Sequence, residues 1–285
     1  MADPLLLADT PWLLYRAFFS LPKSIKGADG QPVNALLGTV NALLNACEVC
    51  RPRAVVACFG AEQAAYRVEL YPPYHAHRDP MPPELKAQWQ KAPELLESLG
   101  WSISDSEELE ADDAMGSLAA AEARAGGRAL ILSGDRDMYQ CVNERIAILE
   151  LKKGAAPTEA GPEQVRERYG IDPALVPDFI ALRGDPSDGL PGAPGIGAKT
   201  AAGLLNKHGS LEDILAAAAE PGGSRSSATL LHHAEQLRVF KQIATLAPMK
   251  LDPPPDTPTD FARGALKAQE MGMKGLAARL EKAAS

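Results

Sequence analysis

The chain has 285 residues, 46% of them hydrophobic, and a formal net charge of -8. That supports a sizeable core in one large domain or two smaller ones. No run approaches the roughly 18 to 20 apolar residues of a membrane span, and residues 1–20 lack a basic leader, so a soluble cytoplasmic protein is expected. The acidic balance argues against a generally basic nucleic-acid-binding surface. A bound pair of divalent ions would halve the net charge, however, and local charge matters more than the sum.

"PLLLAD" (4–9) reads as a buried strand, followed by a helix over "WLLYRAFFSL" and a second from Val33 to Cys50. Cys47 and Cys50 form a C-x-x-C on that second helix. The apolar helical period runs through both, and no second C-x-x-C or His pair completes a tetrahedral site, so core packing is expected rather than zinc or redox chemistry. "RAVVACFG" (53–60) is a second strand, and "GWSISD" (100–105) a weaker third. A helix over "DDAMGSLAAAEARAG" (112–126) leads into the strand "RALILSGD" (128–135). Strands alternating with helices predict a parallel α/β sheet.

From about Gly161 the pattern changes to short helices divided by Gly and Pro, with no strand signal. The expected organisation is an α/β domain over 1–160 and a helical subdomain over 161–285. Within the latter, "PGGSRSS" (221–227) is a flexible loop and "DPPPDTPTD" (252–260) an extended linker. "ARGALKAQEMGMKGLAARLEKAA" closes the chain as a helix pair.

Ligands of open parallel sheets gather outside the carboxyl ends of the strands, and the acids fall there. Asp9 ends the first strand. Glu110, Asp112 and Asp113 open the helix after the third, where the helix dipole favours negative charge. Asp135 and Asp137 follow the next strand, and Asp185 and Asp188 sit on a tight loop of the helical part, "LRGDPSDGLPG". Single acids at such places serve as turn formers or helix caps, but eight converging carboxylates repel one another unless cations offset them. With no Cys or His among them, the donor set is all oxygen and suits Mg²⁺ or Mn²⁺. Two such ions bridging a phosphate serve phosphodiester hydrolysis. "LPGAPGIGAKTAAGLL" (190–205) adds a glycine hairpin between helices, with Gly195, Gly197 and Lys199 able to approach backbone phosphate.

Five stretches together carry a family resemblance: "LLADTPWLLYRAFFSLP", "YRVELYPPYHAHRDPMPPEL", "LEADDAMGSLA", "ILSGDRDMYQ" and "LRGDPSDGLPGAPGIGAKTA". The chain resembles the structure-specific 5′-nucleases, the flap endonucleases and the 5′→3′ exonuclease domain of bacterial DNA polymerase I, in a stand-alone form. The resemblance implies a parallel-sheet PIN-like nuclease domain with a helical arch, at about 66–99, and a helical subdomain with a helix-hairpin-helix at about 190–209. It places Asp9, Glu110, Asp112 and Asp113 around a first metal ion, and Asp135, Asp137, Asp185 and Asp188 around a second. It gives Arg16 and Arg67 to phosphates at the scissile bond, and Tyr74 to stacking on a base. Arg78, Gly195, Gly197, Lys199 and Thr200 fall to DNA binding, with K⁺ at the hairpin.

The implied partner is DNA with a 5′ flap, nick or single-strand/duplex junction. A functional link to a DNA polymerase and ligase is also implied, for a protein acting as a monomer. Two departures stand out. Gly60 occupies the place of a metal-binding Asp, which would leave that coordination position to water, with Glu62 able to stand in for the acid through a water. His75 stands in the place of the arch lysine and is assigned its catalytic position. Gly189 replaces a common Asn. Two other readings stay open: a DNA-structure-binding homologue with vestigial cleavage, and a PIN-type ribonuclease.

Overall fold

Residues 3–152, 154–221 and 225–285 are described by a computed structural model, with backbone only for residues 225 and 226. The strands are β1 (Leu5–Asp9), β2 (Ala54–Cys58), β3 (Ser102–Ser104), β4 (Ala129–Leu132), β5 (Ile146–Glu150) and β6 (Thr158–Ala160). On the sheet side lie α1 (Thr10–Ser20), α2 (Asn34–Cys50), α3 (Ala65–Leu70), α4 (Pro83–Ser98) and α5 (Ala111–Arg124). The helical part comprises α6 (Pro162–Tyr169), α7 (Val176–Arg183), α8 (Ala198–His208), α9 (Leu211–Ala218), α10 (Arg225–His232) and α11 (Ala234–Ala244). Two more, α12 (Phe261–Glu270) and α13 (Lys274–Ala284), close the chain.

The strands form one sheet of order β3-β2-β1-β4-β5-β6, parallel throughout except for the antiparallel β6. Each of β1, β2 and β4 is buried along its whole length, as an apolar run covered on both faces should be. Successive residues of β1 serve opposite layers. Leu5 and Leu7 join the core under α5 and the helical part, whereas Leu6 and Ala8 join the core under α1, α2 and α4. The chain leaves β1 toward β2 and β3, then crosses to β4 on the other side. The gap between the carboxyl ends of β1 and β4 is therefore the switch point where a ligand crevice opens.

Two expectations need correcting, and the arch region gains detail. Within 66–99, α4 packs one face on the body, burying Leu85, Ala92 and Leu95 in the α1/α2 layer. Its Gln88 side chain accepts from Ala35 N (2.8 Å) and donates to Asn34 Oδ1 (3.1 Å), supplying the open N-terminus of α2 with a partner. The closing helix pair does not stay with the helical part. Linker 252–260 is tied back through Thr257 N to Arg53 O (2.8 Å) and Asp260 N to Leu99 O (2.8 Å). Ala265, Ala268, Leu276 and Leu280 then pack into the same layer as Leu6 and Ala8. Finally, β5 and β6 extend the sheet where no strand was expected.

The loop expected at 221–227 lies partly outside the described residues, and α10 begins at Arg225. Cys47 and Cys50 are half-buried against the α1/α2 layer, where burial pushes their thiols up to about 12 and about 11. No helix among the described residues is long and apolar enough to cross a membrane.

Candidate active site

Asp9 is the last residue of β1 and the N-cap of α1, so one carboxylate oxygen accepts from Trp12 N at 3.0 Å. Ser133, at the end of β4, donates to the other at 2.6 Å. The serine hydroxyl also accepts from Asp135 N (3.0 Å), and Asp135 Oδ1 in turn accepts from Asp137 N (3.0 Å). A short chain of hydrogen bonds thus orients three acids across the switch point. Ser133 was not singled out in the sequence, although it directly precedes "GDRD".

Burial lifts the Asp9 carboxyl to about 6, against the pull of Ser133 and Trp12 and with help from Asp135. Asp112 is raised well above the ordinary carboxylate range by burial, then by Asp9 and Asp135. The same holds for Asp137, through burial and then Asp135 and Asp188, and in the same direction for Asp135. The crowd resists ionisation without a cation. Asp137 Oδ1 is buried with no hydrogen-bond partner among the described residues, a position that an ion or its water shell would satisfy.

A pocket of about 370 Å³ collects Glu110, Asp112, Asp135, Asp137 and Asp188 with Arg67, Tyr74, His75 and Arg78. Among the described residues no three Asp, Glu, His or Cys side chains are set to grip one ion directly. Binding through retained waters, the habit of Mg²⁺, fits this arrangement better than a closed all-protein cage.

Two of the eight acids hold other groups in place. Asp113, fully buried, takes Arg67 Nη1 and Nη2 at 3.0 and 2.7 Å and Ala247 N at 2.7 Å, and it closes a capping box with Glu110. Asp185 Oδ1 accepts from the Ser187 amide (2.8 Å) and hydroxyl, shaping the loop that carries Asp188.

Arg67 and Tyr74 differ most from expectation. Arg67 is only 2% exposed and is fully engaged by Asp113, Glu110 (3.0 Å) and the Ile243 carbonyl (3.1 Å), so it braces the acids instead of reaching for a phosphate. Tyr74 is also buried. It donates to Glu110 Oε2 at 3.0 Å and stacks on His75 with ring centroids 3.8 Å apart, leaving no open face for a base. His75 does reach the pocket. Its Nε2 lies 3.0 Å from Asp188 Oδ1, its Nδ1 has no partner among the described residues, and its backbone is held at φ 54. Arg78 meets the same Asp188 oxygen at 3.1 Å. Residues 71–78 therefore form a strap fastened at Glu110 on one side and Asp188 on the other.

Gly60 is not an open coordination position. A Cβ there would lie 2.6 Å from the backbone of Leu109, Glu110 and Ala111, so the start of α5 fills the space a side chain would need. Glu62 is exposed on the following loop. Gly189 sits at φ 76, which suits either Gly or Asn. Arg16 is exposed on α1, over the Trp12 ring at 5.6 Å. Gly195, Gly197, Lys199 and Thr200 lie together and exposed where the hairpin enters α8, anchored from beneath by buried Ile196.

Acids crowded at the switch point of a parallel sheet, beside an exposed glycine hairpin between helices, define an acid-centred nuclease. Two family models match the chain: the 5'-3' exonuclease N-terminal resolvase-like domain over residues 4–170, and the 5'-3' exonuclease C-terminal SAM fold over 171–264. A 5'-3' exonuclease of Mycobacterium tuberculosis is 36% identical over 314 residues, covering 99% of this chain and 98% of its own. One from Streptomyces coelicolor is 40% identical over 231 residues, covering 76% of each. DNA polymerase I of M. tuberculosis is 38% identical over 213 residues, 74% of this chain but 24% of the polymerase. Among solved structures, the bacteriophage T5 D15 flap endonuclease in complex with DNA and metal ions superposes with a TM-score of 0.69 at 18% identity, covering 98% of both chains. The chain belongs to the 5'-3' exonuclease family, and it is a hydrolase acting on DNA.

Proposed function

We propose that the protein is a Mg²⁺- or Mn²⁺-dependent 5′-nuclease that cuts DNA at 5′ flaps, nicks or single-strand/duplex junctions in replication and repair. The observation that carries this reading is the acid crowd at the β1/β4 switch point, with the orphaned Asp137 oxygen at its centre. Asp9, Glu110 and Asp112 would hold one ion, and Asp135, Asp137 and Asp188 another. When bound, such ions neutralise the phosphate's charge and activate a water.

The chain's own groups set up that centre. Ser133 fixes the Asp9 carboxylate, Arg67 and Tyr74 fix Glu110, and the Ser187 contacts shape the loop behind Asp188. Arg16, exposed on α1 over the Trp12 ring, is the candidate for the scissile phosphate in place of the buried Arg67. The strap holds His75 and Arg78 against Asp188, where the Arg78 guanidinium supplies positive charge to the acid crowd. The hairpin amides and Lys199 grip duplex backbone without reading sequence. K⁺ at the hairpin, the monomeric state and a working link to a polymerase and ligase rest on resemblance alone.

The ordered carboxylates favour cutting over mere binding, since an acid crowd repels phosphate unless ions are used. The test is cleavage of end-labelled 5′-flap, nicked and single-stranded DNA and of RNA, in Mg²⁺ and in Mn²⁺. Cutting of flap or nicked DNA is the expected result. Binding without cutting in either metal, or a preference for RNA, would overturn the reading.

A further inference from the structure

The backbone of Asp137 is held by side chains at both its polar groups, which leaves the carboxylate as its free end. Its N–H goes to Asp135 Oδ1 at 3.0 Å, and its carbonyl accepts from Gln140 Nε2 at 2.9 Å. Asp137 and Gln140 share the short 3₁₀ helix Asp137–Cys141 that follows β4. The same Gln140 amide also reaches out of the sheet body. Nε2 donates to Ala244 O at 2.8 Å, and Oε1 accepts from Leu246 N at 3.1 Å. Only one orientation of the amide fits: turned over, its oxygen would face two carbonyls and its nitrogen an N–H.

Ala244 ends α11, and its carbonyl is one of those a helix leaves without an internal partner. The chain leaving α11 is tied to the body at short intervals. Ile243 O meets Arg67 Nε (3.1 Å), Ala247 N meets Asp113 (2.7 Å) and Met249 N meets Ser117 Oγ (2.8 Å), with the Gln140 bonds between them. Ile243, Ala244 and Leu246 also line the acid pocket, beside Asp112, Asp135 and Asp137. Gln140 joins this segment to Asp137, one of the acids assigned to the second ion. Capping α11 needs only the bond to Ala244; the bond to Asp137 has no part in that.

We propose that Gln140 is a positioning residue: it holds Asp137 in register with the exit from the helical part, so that the second ion's site and the DNA-gripping part are set together. The inference rests on the metal-dependent reading given above. Side chains that orient a metal-binding residue contribute roughly 10- to 100-fold to metal affinity or activity. Linkage is reciprocal: whatever factor the tie adds to ion affinity, the ion adds to the tie.

The experiment titrates Mn²⁺ into DNA-free protein, read by electron paramagnetic resonance, for the wild type, Asp137→Asn, Gln140→Met and Ser117→Ala. Asp137→Asn identifies the binding step that belongs to Asp137. Gln140→Met, close in volume but without the amide's donors and acceptor, should weaken that step about tenfold and leave flap-DNA affinity in saturating Ca²⁺ unchanged. Ser117→Ala releases the same segment at Met249 without touching Asp137, and should bind Mn²⁺ as the wild type does. Hydrogen exchange of the wild type needs no variant: the Leu246 amide should exchange about tenfold more slowly in saturating Mg²⁺ than in EDTA.

Unchanged Mn²⁺ affinity in folded Gln140→Met, or an equal loss in Ser117→Ala, would remove the positioning role, because Gln140 would then only dock the helical part. If Gln140→Met does not fold, the exchange measurement decides alone, and a Leu246 amide indifferent to Mg²⁺ would overturn the proposal. A wild type that binds no Mn²⁺ would instead overturn the metal-dependent reading on which the proposal rests.

Discussion

Replacing Arg67 by Met separates a bracing arginine from a phosphate-binding one. The guanidinium lies 2.7 Å from Asp113 and 3.0 Å from Glu110, all but enclosed by protein. At an effective dielectric of about 20, the Asp113 contact alone is a gross attraction of roughly 6 kcal/mol, most of it offset by the desolvation of both ions. Met retains much of the volume but leaves the buried Asp113 with only the Ala247 and Glu110 backbone amides as partners. Breaking one side of a buried pair in this way costs about 3–5 kcal/mol, or a fall in Tm on the order of 10 °C for a protein of this size. Urea unfolding with the metal-free protein measures that loss directly. Arg67→Met/Asp113→Leu should recover part of it, because the orphaned charge is gone. If Arg67→Met is as stable as the wild type, and DNA binding instead loses about one counterion of salt dependence, then Arg67 reaches phosphate and the bracing role is wrong.

Four further outcomes follow from the site. Asp137→Asn should abolish detectable cleavage, a drop on the order of 10²-fold or more, while flap-DNA binding in Ca²⁺ persists or tightens; normal turnover would remove Asp137 from the centre. Because the folded state raises the Asp9 carboxyl to about 6, it binds that proton more tightly than the unfolded chain. Stability without metal should therefore fall as pH rises from about 4 to 6, by up to about 3 kcal/mol from this group. Tm scans in EDTA and in Mg²⁺ check this: the two curves should draw apart as pH rises through about 4 to 6 and stay apart above it, and parallel curves would refute it. Gly60→Ala should destabilise by about 1–3 kcal/mol through overpacking against the start of α5, and Gly60→Asp should not lower the Mg²⁺ requirement; denaturation and metal titration test the two halves. Lys199→Ala should weaken duplex binding equally for all sequences and lower the salt slope by about one, read by anisotropy on unrelated duplexes.

The central strands were legible because a buried parallel strand is a continuous apolar run, and Leu5–Ala8, Ala54–Cys58 and Ala129–Leu132 are such runs. Acids placed directly after them pointed to one edge of the sheet before any contact was known. β6 was invisible for the opposite reason: "TEA" is three residues with two exposed, and it becomes a strand only by pairing with β5. β5 itself, "IAILE", is a short apolar run whose length and composition suit a strand or a buried helical turn equally, and its place beside β4 decides between them. The arginines show the limit at the site. Arg67 and Arg16 look alike in sequence, and only the docking of Ile243 and Asp113 around Arg67 makes one internal and leaves the other exposed. Gly60 shows the same limit, because the crowding there comes from residues fifty positions on.

The returning tail changes what kind of object the helical part is. With α12 and α13 seated in the layer of Leu6 and Ala8, and residues 252–260 laced along Arg53 and Leu99, residues 161–250 form an insert whose two ends are both tied to the sheet body. A domain on a single tether can swing; one held at both ends is restricted to small rocking motions about its two attachments. Asp188 belongs to this insert, whereas Asp9, Asp112, Asp135 and Asp137 belong to the body. The separation between the two groups of acids is therefore a reading of how the insert sits, and any load on the hairpin acts on the same lever that positions Asp188.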